Sequence, residues 1–414
     1  MANSDPVFSL YVHVPFCADK CLYCDFYSVA RHTVTEELQA AVVEETVRQA
    51  RYFLQGLGPH PRIPTIFMGG GTPSSLSQPV AERLLRSFRE TGCIEWTVEA
   101  NPESLDKIFL DRCQTSGVTR LSVGVQSLRD DQLRLLKRPA TRADTLTALG
   151  LVQRNWKGEL NLDFIAGIPR QTVREVREDL AVLMGMGSSH VSLYQLTCEP
   201  GTELSLLAKE GKIALNPADL DEALWFAGKE SLEQGGYENY EISNFSLPGR
   251  QCRHNLRYWH MEPYLGVGPG AVSTLPAAPF AALLGKQELM NEPGAVLRLS
   301  NPKDLHAYLG GPDRLWGMDV EIVPPRDFLL ENLMMGFRLA EGIQQSMLED
   351  RFGWSFNQLF PGLWDRWAAR ELASPQDGRL KLTERGRCVL DALLGQIVEN
   401  LAAPGMPELL LNWP

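Results

Sequence analysis

Residues 9–24 read SLYVHVPFCADKCLYC, an apolar run that leads into the spacing Cys17-x-x-x-Cys21-x-x-Cys24. The run has the length and β-branched content of a buried parallel strand. Thiolates are soft ligands that select zinc or iron–sulfur clusters. Structural zinc normally takes four protein ligands, whereas three cysteines cluster here. The spacing favours a four-iron cluster with one open iron. Three reduced cysteines in a loop, or a zinc site completed by His13, are the alternatives.

Five further runs of the same character follow along the chain, and an amphipathic stretch comes after each strand. The predicted strands are residues 9–14, 64–68, 95–100, 120–125, 159–166 and 190–196. The predicted helices are residues 36–54, 78–90, 105–116, 141–154, 172–186 and 217–234. Six βα units in succession imply right-handed crossovers and a parallel sheet. Periodicity alone leaves two architectures open, a doubly wound sheet and a curved partial barrel.

Polar and glycine-rich residues occur where these predicted strands end. The segments are Gly69-Gly70-Gly71-Thr72-Pro73 after the second strand, Glu99-Ala100-Asn101-Pro102 after the third, Gly124-Val125-Gln126 after the fourth, and Asp163 on the fifth. In both architectures, ligands bind at the carboxyl ends of the strands. The pattern therefore predicts one site built from consecutive strand ends, since a purely structural protein has no need of such groups there.

The composition is that of an ordinary globular chain and excludes several classes of protein. The 414 residues are 44% hydrophobic and 22% charged, with a formal net charge of −11. An acidic chain without a basic run makes nucleic acid a poor partner. No apolar stretch reaches the roughly 18 residues of a membrane span, and the first residues lack the features of a signal peptide. We therefore expect a cytoplasmic protein whose eight cysteines stay reduced.

A second region with a different pattern follows the βα units. Helical patterns at residues 326–339, 347–352 and 363–371 precede a short segment at 378–382 and a last helix at 383–401. Helices followed by a small wing and another helix predict a winged-helix-like α+β domain. Residues 276–293, rich in alanine and proline, predict a loose connection before it. The expected division is 1–235 for the βα units, 236–293 for an extension and linker, and 294–414 for the C-terminal domain.

The cysteine spacing after the first strand resembles that of the radical S-adenosylmethionine (radical SAM) superfamily. The resemblance implies a partial (βα)6 parallel barrel in which Cys17, Cys21 and Cys24 bind a [4Fe-4S] cluster. It also implies that S-adenosylmethionine chelates the open iron through its amino and carboxylate groups. The segment Gly69-Gly70-Gly71-Thr72-Pro73 resembles the superfamily's loop beside the methionyl amine. Glycine there lets the backbone come within hydrogen-bond reach of a ligand.

Further motifs resemble one branch of the superfamily, which contains oxygen-independent coproporphyrinogen III oxidase and the HemW haem chaperones. They are YVHVPFC at 11–17, EANP at 99–102, GVQS at 124–127 and Asp163 with Gly167, and the resemblance covers about residues 9–275. It implies S-adenosylmethionine contacts at Tyr11, Tyr23, Gly70, Gly71, Thr72, Glu99, Gln126, Arg138 and Asp163. Carboxylates suit the cationic end of that ligand, and an arginine suits its carboxylate.

Three features favour the haem chaperones within this branch. Phe26 stands where the oxidases have a fourth cysteine, and 16 residues precede Cys17 where the oxidases have a longer lead. The segment His254-Asn255-Leu256-Arg257-Tyr258-Trp259 matches the HNxxYW signature that the family associates with haem binding. The chain also departs from the family, because Ala140 and Val272 stand where histidines are common. These departures leave the cluster and the glycine segment untouched.

Haem binding places chemical demands that this last segment can meet. Haem iron takes nitrogen or sulfur donors within an apolar slot. His254 is the predicted axial contact, Tyr258 and Trp259 are the predicted neighbours of the porphyrin, and Cys252 is an alternative donor. We therefore expect a haem carrier, rather than a turnover enzyme, that delivers its cargo to an acceptor such as a respiratory enzyme. A coproporphyrinogen-decarboxylating enzyme that uses a 5′-deoxyadenosyl radical is the alternative, and a zinc-stapled barrel is a third possibility.

Overall fold

Twelve hydrogen-bonded strands form one mixed sheet in the computed structural model, which describes residues 6–57, 61–286, 289, 294–374, 377–402 and 407–413. The described residues form sixteen strands in all, of which β2 pairs with β3 and β15 with β16 outside the large sheet. They are β1 (Ser9–Val14), β2 (Phe16–Cys17), β3 (Val29–Ala30), β4 (Thr65–Gly70), β5 (Glu95–Ala100), β6 (Arg120–Gln126), β7 (Glu159–Ala166), β8 (His190–Gln195), β9 (Glu238–Asn239), β10 (Asn244–Ser246), β11 (Tyr264–Val267), β12 (Val272–Pro276), β13 (Val296–Ser300), β14 (Asp319–Val323), β15 (Ile343–Gln344) and β16 (Arg379–Leu380). The order across the large sheet is β14-β13-β12-β11-β1-β4-β5-β6-β7-β8-β10-β9.

The six strands that the sequence predicts lie side by side in this sheet. Strands β1, β4, β5, β6, β7 and β8 are all parallel, which confirms the succession of βα units. Strand β11 adds a further parallel pairing to β1, and antiparallel strands extend the sheet beyond β11 and β8. Among the described residues the edge strands β14 and β9 do not pair, so the sheet is open and does not close into a barrel.

Helices connect the parallel strands, and hydroxyl side chains fix where several of them begin. The helices of this part are α1 (Glu36–Gly56), α2 (Gln78–Arg86), α3 (Lys107–Ser116), α4 (Asp130–Leu135), α5 (Arg142–Asn155), α6 (Val173–Gly185), α7 (Glu203–Lys209), α8 (Ala218–Gln234), α9 (Arg253–Trp259), α10 (Ala277–Phe280) and α11 (Leu305–Tyr308). Thr141 and Thr172 each form a capping box, which satisfies backbone donors at the starts of α5 and α6.

A smaller unit of helices with a short two-stranded wing follows the large sheet. Its helices are α12 (Pro325–Gly336), α13 (Gln345–Phe352), α14 (Phe356–Leu359), α15 (Leu363–Ala368), α16 (Glu384–Cys388) and α17 (Leu390–Ala402), and β15 pairs with β16. Phe337, Phe356, Trp364 and Trp367 pack together at its centre. The prediction of one last helix over 383–401 is wrong, because the backbone of Val389 leaves the helical region and separates α16 from α17.

The division into 1–235, 236–293 and 294–414 stays a prediction, although the boundary at 294 can be compared with the sheet. Strands β13 and β14 lie beyond residue 294 and belong to the twelve-stranded sheet, which therefore runs to Val323. The predicted loose connection at 276–293 begins with helix α10, whose Phe280 is buried. Residues 287, 288 and 290–293 of that connection lie outside the described residues. Among the residues that are described, no helix is both long and apolar enough to cross a membrane.

Helix α9 covers the amino ends of the central strands and is held there by a buried ion pair. Glu95 begins β5 and Arg120 begins β6, and their side chains are 3.4 Å apart and almost fully buried. The Glu95 carboxylate also accepts hydrogen bonds from the backbone N–H groups of Arg253 and His254, at 3.1 Å and 2.9 Å. Arg120 donates to the carbonyl oxygen of Arg250 at 3.0 Å. This pair therefore fixes the start of α9 across the floor of the parallel strands.

We predict that Glu95→Gln lowers the free energy of unfolding by about 3 kcal/mol, because it leaves the buried Arg120 guanidinium without its counter-charge. Hydrogen exchange at the N–H groups of Arg253 and His254 should become faster, because both donate to Glu95. Thermal denaturation and exchange mass spectrometry measure these effects. The matched control is Glu159→Gln, which removes the partly exposed pair with Arg250 and should cost less than about 1 kcal/mol. Equal losses in the two variants would contradict the role of the buried pair.

Candidate functional site

A cleft of about 370 Å³ lies at the carboxyl ends of the parallel strands and collects most of the predicted site residues. The predicted residues that line it are Cys17, Cys21, Tyr23, Cys24, Gly70, Gly71, Thr72, Glu99, Gln126, Arg138 and Asp163. Residues from 17 to 163 meet here because parallel strands bring their carboxyl ends to one edge of the sheet. Among the predicted S-adenosylmethionine contacts, Tyr11 alone does not line the cleft. Its hydroxyl lies 2.8 Å from His13 Nδ1, and its ring packs near Phe67 beneath the cleft.

The three motif cysteines are half-buried on a loop at the cleft mouth. Cys17 ends the short strand β2, which pairs with β3, and the backbone N–H of Cys24 donates to the carbonyl of Cys21. Burial raises the pKa of Cys24 to about 11 and also raises that of Cys17, so metal binding has to displace thiol protons. In the part of the chain that the structure describes, no three His, Cys, Asp or Glu side chains converge on one metal ion. A cluster does not need such convergence, because each cysteine ligates a different iron of the cube.

The alternative of a zinc site completed by His13 conflicts with the contacts of that imidazole. Nδ1 of His13 is 2.8 Å from the Tyr11 hydroxyl, and Nε2 is 2.9 Å from the carbonyl oxygen of Tyr27. Both ring nitrogens are therefore occupied, and the side chain is only 4% exposed. Burial lowers the pKa of His13 to about 4, so the ring is neutral. His13 supports the cleft from below and does not point a free nitrogen at the cysteines.

The glycine segment is required by the packing of the protein itself. Gly70 has φ +100°, and a Cβ atom there would lie 2.2 Å from the His13 ring. A Cβ on Gly71 would lie 2.5 Å from the carbonyl oxygen of Val14. The backbones of Gly71 and Val14 lie this close because the Gly71 N–H donates a hydrogen bond to the Val14 carbonyl at 2.7 Å. Ligand approach is thus not needed to explain these glycines, although both residues also line the cleft.

Two carboxyl groups face the cleft without a full set of counter-charges. Burial and the nearby Asp163 raise the pKa of Glu99 to about 8. Among the described residues, Glu99 accepts one hydrogen bond, from the N–H of Gly70 at 3.1 Å. Burial also raises the pKa of Asp163, although Asn161 donates to this carboxylate at 2.8 Å and Ser122 at 3.3 Å. Two such groups in a low-dielectric cleft favour a cationic ligand between them.

Arg138 connects the cysteine loop to the strand ends. Its guanidinium donates to Cys21 Sγ at 3.4 Å, to Asn101 Oδ1 at 2.9 Å and to the carbonyl oxygen of Gly124 at 2.7 Å. Its Nε is buried and has no partner among the described residues. Asn101 in turn donates to the hydroxyl of Thr72, which lies 3.7 Å from Cys17 Sγ. The network places one terminal nitrogen of Arg138 beside Cys21 and the other at the strand ends.

Gln126 ends β6 in a strained backbone conformation. Its φ is +68°, which a non-glycine residue adopts at a cost on the order of 1–3 kcal/mol. The pairing of β6 with β7 shifts register between Gly124 and Gln126. The strain turns the Gln126 side chain to the cleft, which it lines. Strained residues of this kind concentrate at functional sites.

Several cleft residues carry no role in the sequence-based prediction. Tyr194 and Gln195 end β8, and Asn101 follows β5 within the predicted EANP segment but without an assigned contact. The Gln195 Nε2 is buried without a partner among the described residues, so it is a donor available to a ligand. Tyr194 and Gln195 could have been predicted in the same way as the other site residues, because they are polar residues at the end of the sixth predicted strand. The prediction stopped at the fifth.

The structure separates Trp259 from the other two residues predicted to bind haem. His254 is 1% exposed and lies against the inner side of β4, with Nδ1 2.9 Å from the Thr65 hydroxyl and Nε2 buried without a partner among the described residues. Burial and Arg257 lower the pKa of His254 to about 3. The Tyr258 ring packs on His254 at 5.0 Å between centroids. Trp259, in contrast, lines a separate cleft that faces the C-terminal unit.

Cys252 is placed as a structural residue and not as an open donor. Its thiol is buried and donates to Glu95 at 3.5 Å. Burial and the charge of Glu95 raise the pKa of Cys252 to about 12, which keeps the neutral thiol. The two positions that depart from the family lie elsewhere, since Ala140 is buried before α5 and Val272 begins β12. The structure gives no reason for either departure.

Two family models match separate parts of the chain. The Radical SAM superfamily model matches residues 11–183, and the HemN C-terminal domain model matches residues 323–389. The first covers β1 to α6 and therefore the whole cleft up to Asp163. The second begins where the large sheet ends and covers most of the C-terminal unit.

Comparisons over the full length agree with these matches. The fold resembles the solved coproporphyrinogen III oxidase (HemN) of Escherichia coli, with a TM-score of 0.74, 20% identity and coverage of 95% of this chain and 90% of that one. The protein named "Heme chaperone HemW" of Bacillus subtilis is 29% identical over 95% of this chain and 100% of its own length. "Radical S-adenosyl methionine domain-containing protein 1, mitochondrial" of Bos taurus is 32% identical over 95% of this chain and 88% of its own length. The "Heme chaperone HemW" of Haemophilus influenzae is 31% identical over 94% of this chain and 97% of its own length. At that identity and coverage, the chain belongs to the HemW family of the radical SAM superfamily.

Proposed function

We propose that this chain is a haem carrier that also holds a [4Fe-4S] cluster and S-adenosylmethionine. Cys17, Cys21 and Cys24 would ligate the cluster, and the cleft behind them would take S-adenosylmethionine. Haem would be the cargo, passed to an acceptor protein such as a respiratory enzyme. The names of the relatives in Bacillus subtilis and Haemophilus influenzae support the assignment of haem. Because iron ligation needs free thiols, we place the protein in a reducing compartment such as the cytoplasm.

The observation that carries this proposal is how little space lies beneath the cleft. The cavity below Glu99 and Asp163 has a volume of about 70 Å³, and Cys252 and Asn255 beside the start of α9 close it from the other side. Sites for drug-sized ligands usually have about 300–1,000 Å³. The cleft of about 370 Å³ therefore suits one ligand of the size of S-adenosylmethionine. The cavity beneath it is too small for a tetrapyrrole, which supports a carrier over an enzyme that holds a porphyrinogen deep in the sheet.

The charges of the cleft fit the ligand that we propose. Glu99 and Asp163 would offset the positive charges of S-adenosylmethionine, and the free Nε of Arg138 would donate to its carboxylate. The Gln195 Nε2 offers a further donor at the cleft edge. When bound together, a reduced cluster and S-adenosylmethionine supply one-electron chemistry. The residues of the chain hold, orient and shield that pair.

The proposed roles of the haem-binding segment follow from where its residues lie. Trp259 is accessible from a surface cleft, so it can contact a porphyrin in the conformation described here. His254 is buried between α9 and β4, so it would bind haem only after α9 moves away from the strands, and the half-buried Tyr258 packs on its ring. Glu95 and Arg120 oppose that movement.

An oxidase that decarboxylates coproporphyrinogen is the second candidate, and the fold shared with the Escherichia coli enzyme favours it. Product analysis distinguishes the two functions. Reduced, reconstituted protein is incubated anaerobically with coproporphyrinogen and S-adenosylmethionine, and the porphyrins are separated by chromatography. We expect no protoporphyrinogen. Its formation at a steady rate would contradict the carrier proposal.

We predict that Cys21→Ala loses the cluster while the chain still folds, because the cysteine loop lies at the cleft mouth outside the apolar core. Reconstituted wild-type protein should contain about four irons and four labile sulfides per chain, the content of one cubane. Chemical analysis and circular dichroism measure both properties. The control is Cys198→Ala, which removes an exposed cysteine near the cleft and should keep its iron. Iron at the wild-type level in Cys21→Ala would disprove the ligation.

We predict that Glu99→Gln weakens the pH dependence of stability in the cluster-free chain. The Glu99 pKa is raised from 4.5 to about 8 in the folded protein. Folding therefore retains a proton that the unfolded chain releases, and stability falls as pH rises from about 4.5 to about 8. Between pH 6 and 8 the wild type should lose about 2 kcal/mol through this group. Urea denaturation at several pH values measures it. Exposed Glu90→Gln is the control, and identical profiles for Glu99→Gln and wild type would refute the assignment.

A further inference from the structure

Four side chains, Asp163, Asn161, His190 and Tyr240, form a hydrogen-bonded row that we call the His190 network. Asn161 Nδ2 lies 2.8 Å from Asp163 Oδ1, and Asn161 Oδ1 lies 2.6 Å from His190 Nδ1. At the other side of the imidazole, Nε2 of His190 lies 2.8 Å from the Tyr240 hydroxyl. His190 is 1% exposed, and Asn161 and Tyr240 are also buried. The network thus leads from a carboxyl group of the cleft to side chains that the proposed function leaves without a role.

The His190 network follows from the register of three parallel strands. Asn161 on β7 is paired with Ser122 on β6 and with His190 on β8, and Asp163 is paired with Ser192. Because alternate residues of a strand point to the same face of a sheet, Asn161 and Asp163 project to one side. The amide nitrogen of Asn161 therefore also reaches the hydroxyls of Ser122, at 2.8 Å, and Ser192, at 3.0 Å. His190 is thereby placed directly behind the Asn161 amide.

The direction of each hydrogen bond in the network follows from the chemistry of the groups. Asn161 presents its NH2 to Asp163, so its oxygen, which can only accept a hydrogen bond, faces His190. Burial and the charge of Arg120 lower the pKa of His190 well below its usual range, so the ring is neutral and carries one N–H. That proton therefore lies on Nδ1, and Nε2 accepts a hydrogen bond from the hydroxyl of Tyr240.

The orientation of the Asn161 amide decides which charge state of Asp163 the site favours. With the NH2 group toward Asp163, the carboxylate accepts a hydrogen bond, and its ionised form is stabilised. With the amide reversed, the Asn161 oxygen would face that carboxyl group, which would then have to carry a proton. Burial raises the pKa of Asp163, and hydrogen bonds from Ser192, Asn161 and Ser122 oppose that rise. An N–H group behind Asn161 is therefore needed to hold its amide in the first orientation.

We propose that His190 is a positioning residue whose Nδ1–H fixes the Asn161 amide and so keeps Asp163 an ionised acceptor for the ligand of the cleft. The inference rests on the proposed function, because it takes that ligand to be S-adenosylmethionine. His190 is not among the described residues that line the cleft, so it acts only through Asn161 and Asp163. A carboxylate that stays ionised suits a ligand with positive charges.

The test measures the binding of S-adenosylmethionine to unreduced, cluster-loaded protein by equilibrium dialysis. His190→Leu should weaken binding by about tenfold, the equivalent of one hydrogen bond to a charged group. His190→Asn should stay within about twofold of the wild type, because the asparagine amide can supply the same N–H donor. In an Asp163→Asn background, His190→Leu should cause less than about a twofold further loss, since both residues act through one contact.

The matched control is Tyr237→Phe, which removes another buried hydroxyl beside β8. That hydroxyl donates to the Ser188 carbonyl oxygen at 2.6 Å and does not belong to the His190 network. Tyr237→Phe should lower the melting temperature and leave the affinity for S-adenosylmethionine unchanged. Iron and sulfide content should be the same in every variant.

A second measurement identifies the protonated nitrogen of His190 without changing the ligand cleft. Nuclear magnetic resonance of the ¹⁵N-histidine-labelled wild type distinguishes the two neutral forms of the ring, and the His190 signals are those absent from His190→Asn. We expect the proton on Nδ1. A proton on Nε2 would overturn the inference, because Nδ1 could then not donate to Asn161.

The binding results separate this inference from the proposed function. Wild-type affinity in His190→Leu would overturn the inference and leave the S-adenosylmethionine site standing. A full tenfold further loss in the Asp163→Asn background would also overturn it, because His190 would then stabilise the sheet in general. Failure of the cluster-loaded wild type to bind S-adenosylmethionine would overturn the proposed function, and the inference with it.

Discussion

Parallel pairing of six consecutive strands is the constraint on which the rest of this structure depends. Six strands, β1, β4, β5, β6, β7 and β8, pair in parallel and therefore run in the same direction. Their carboxyl ends consequently lie at the same edge of the sheet. Residues far apart in sequence, from Cys17 to Gln195, then line one cleft. The amino ends meet at the opposite edge, where charged Glu95 and Arg120 are brought together and buried. Parallel pairing thus places the ligand cleft at the carboxyl ends of the strands and the buried Glu95–Arg120 pair, which α9 covers, at their amino ends.

Buried charge is treated in opposite ways at the two ends of these strands. At the floor, Glu95 is matched by Arg120 and by backbone N–H groups of α9, so the charges there hold structure. At the cleft, Asp163 disfavours the ionised state of Glu99, which has one hydrogen-bond donor among the described residues. An unmatched buried carboxyl is costly unless a cation meets it. The difference separates a structural pair from a binding pair within the same sheet.

The sequence predicts the strands, the cysteine loop and nearly all of the cleft, because local patterns determine each of them. An apolar run of residues predicts each strand, and polar residues at the end of the run predict the site. The burial of His254 could not be predicted in this way, because it depends on contacts of α9 with Thr65 and Glu95. These two residues lie 189 and 159 positions from His254 in the sequence. The same is true of the reason for Gly70, whose missing side chain makes room for His13. Long-range packing, which no short pattern contains, decides both.

Helix α9 connects the two clefts physically. Cys252 and Asn255, at its start, line the small cavity beneath Glu99 and Asp163, and Trp259 at its end lines the second cleft together with His260. The seven residues of α9 span about 10 Å. A ligand that changes the charge of Glu99 or Asp163 acts on a cavity that α9 itself closes, and any shift of so short a helix moves both of its ends. The segment that carries the HNxxYW signature therefore lines two cavities, through Asn255 the one beneath Glu99 and Asp163 and through Trp259 the one that faces the C-terminal unit.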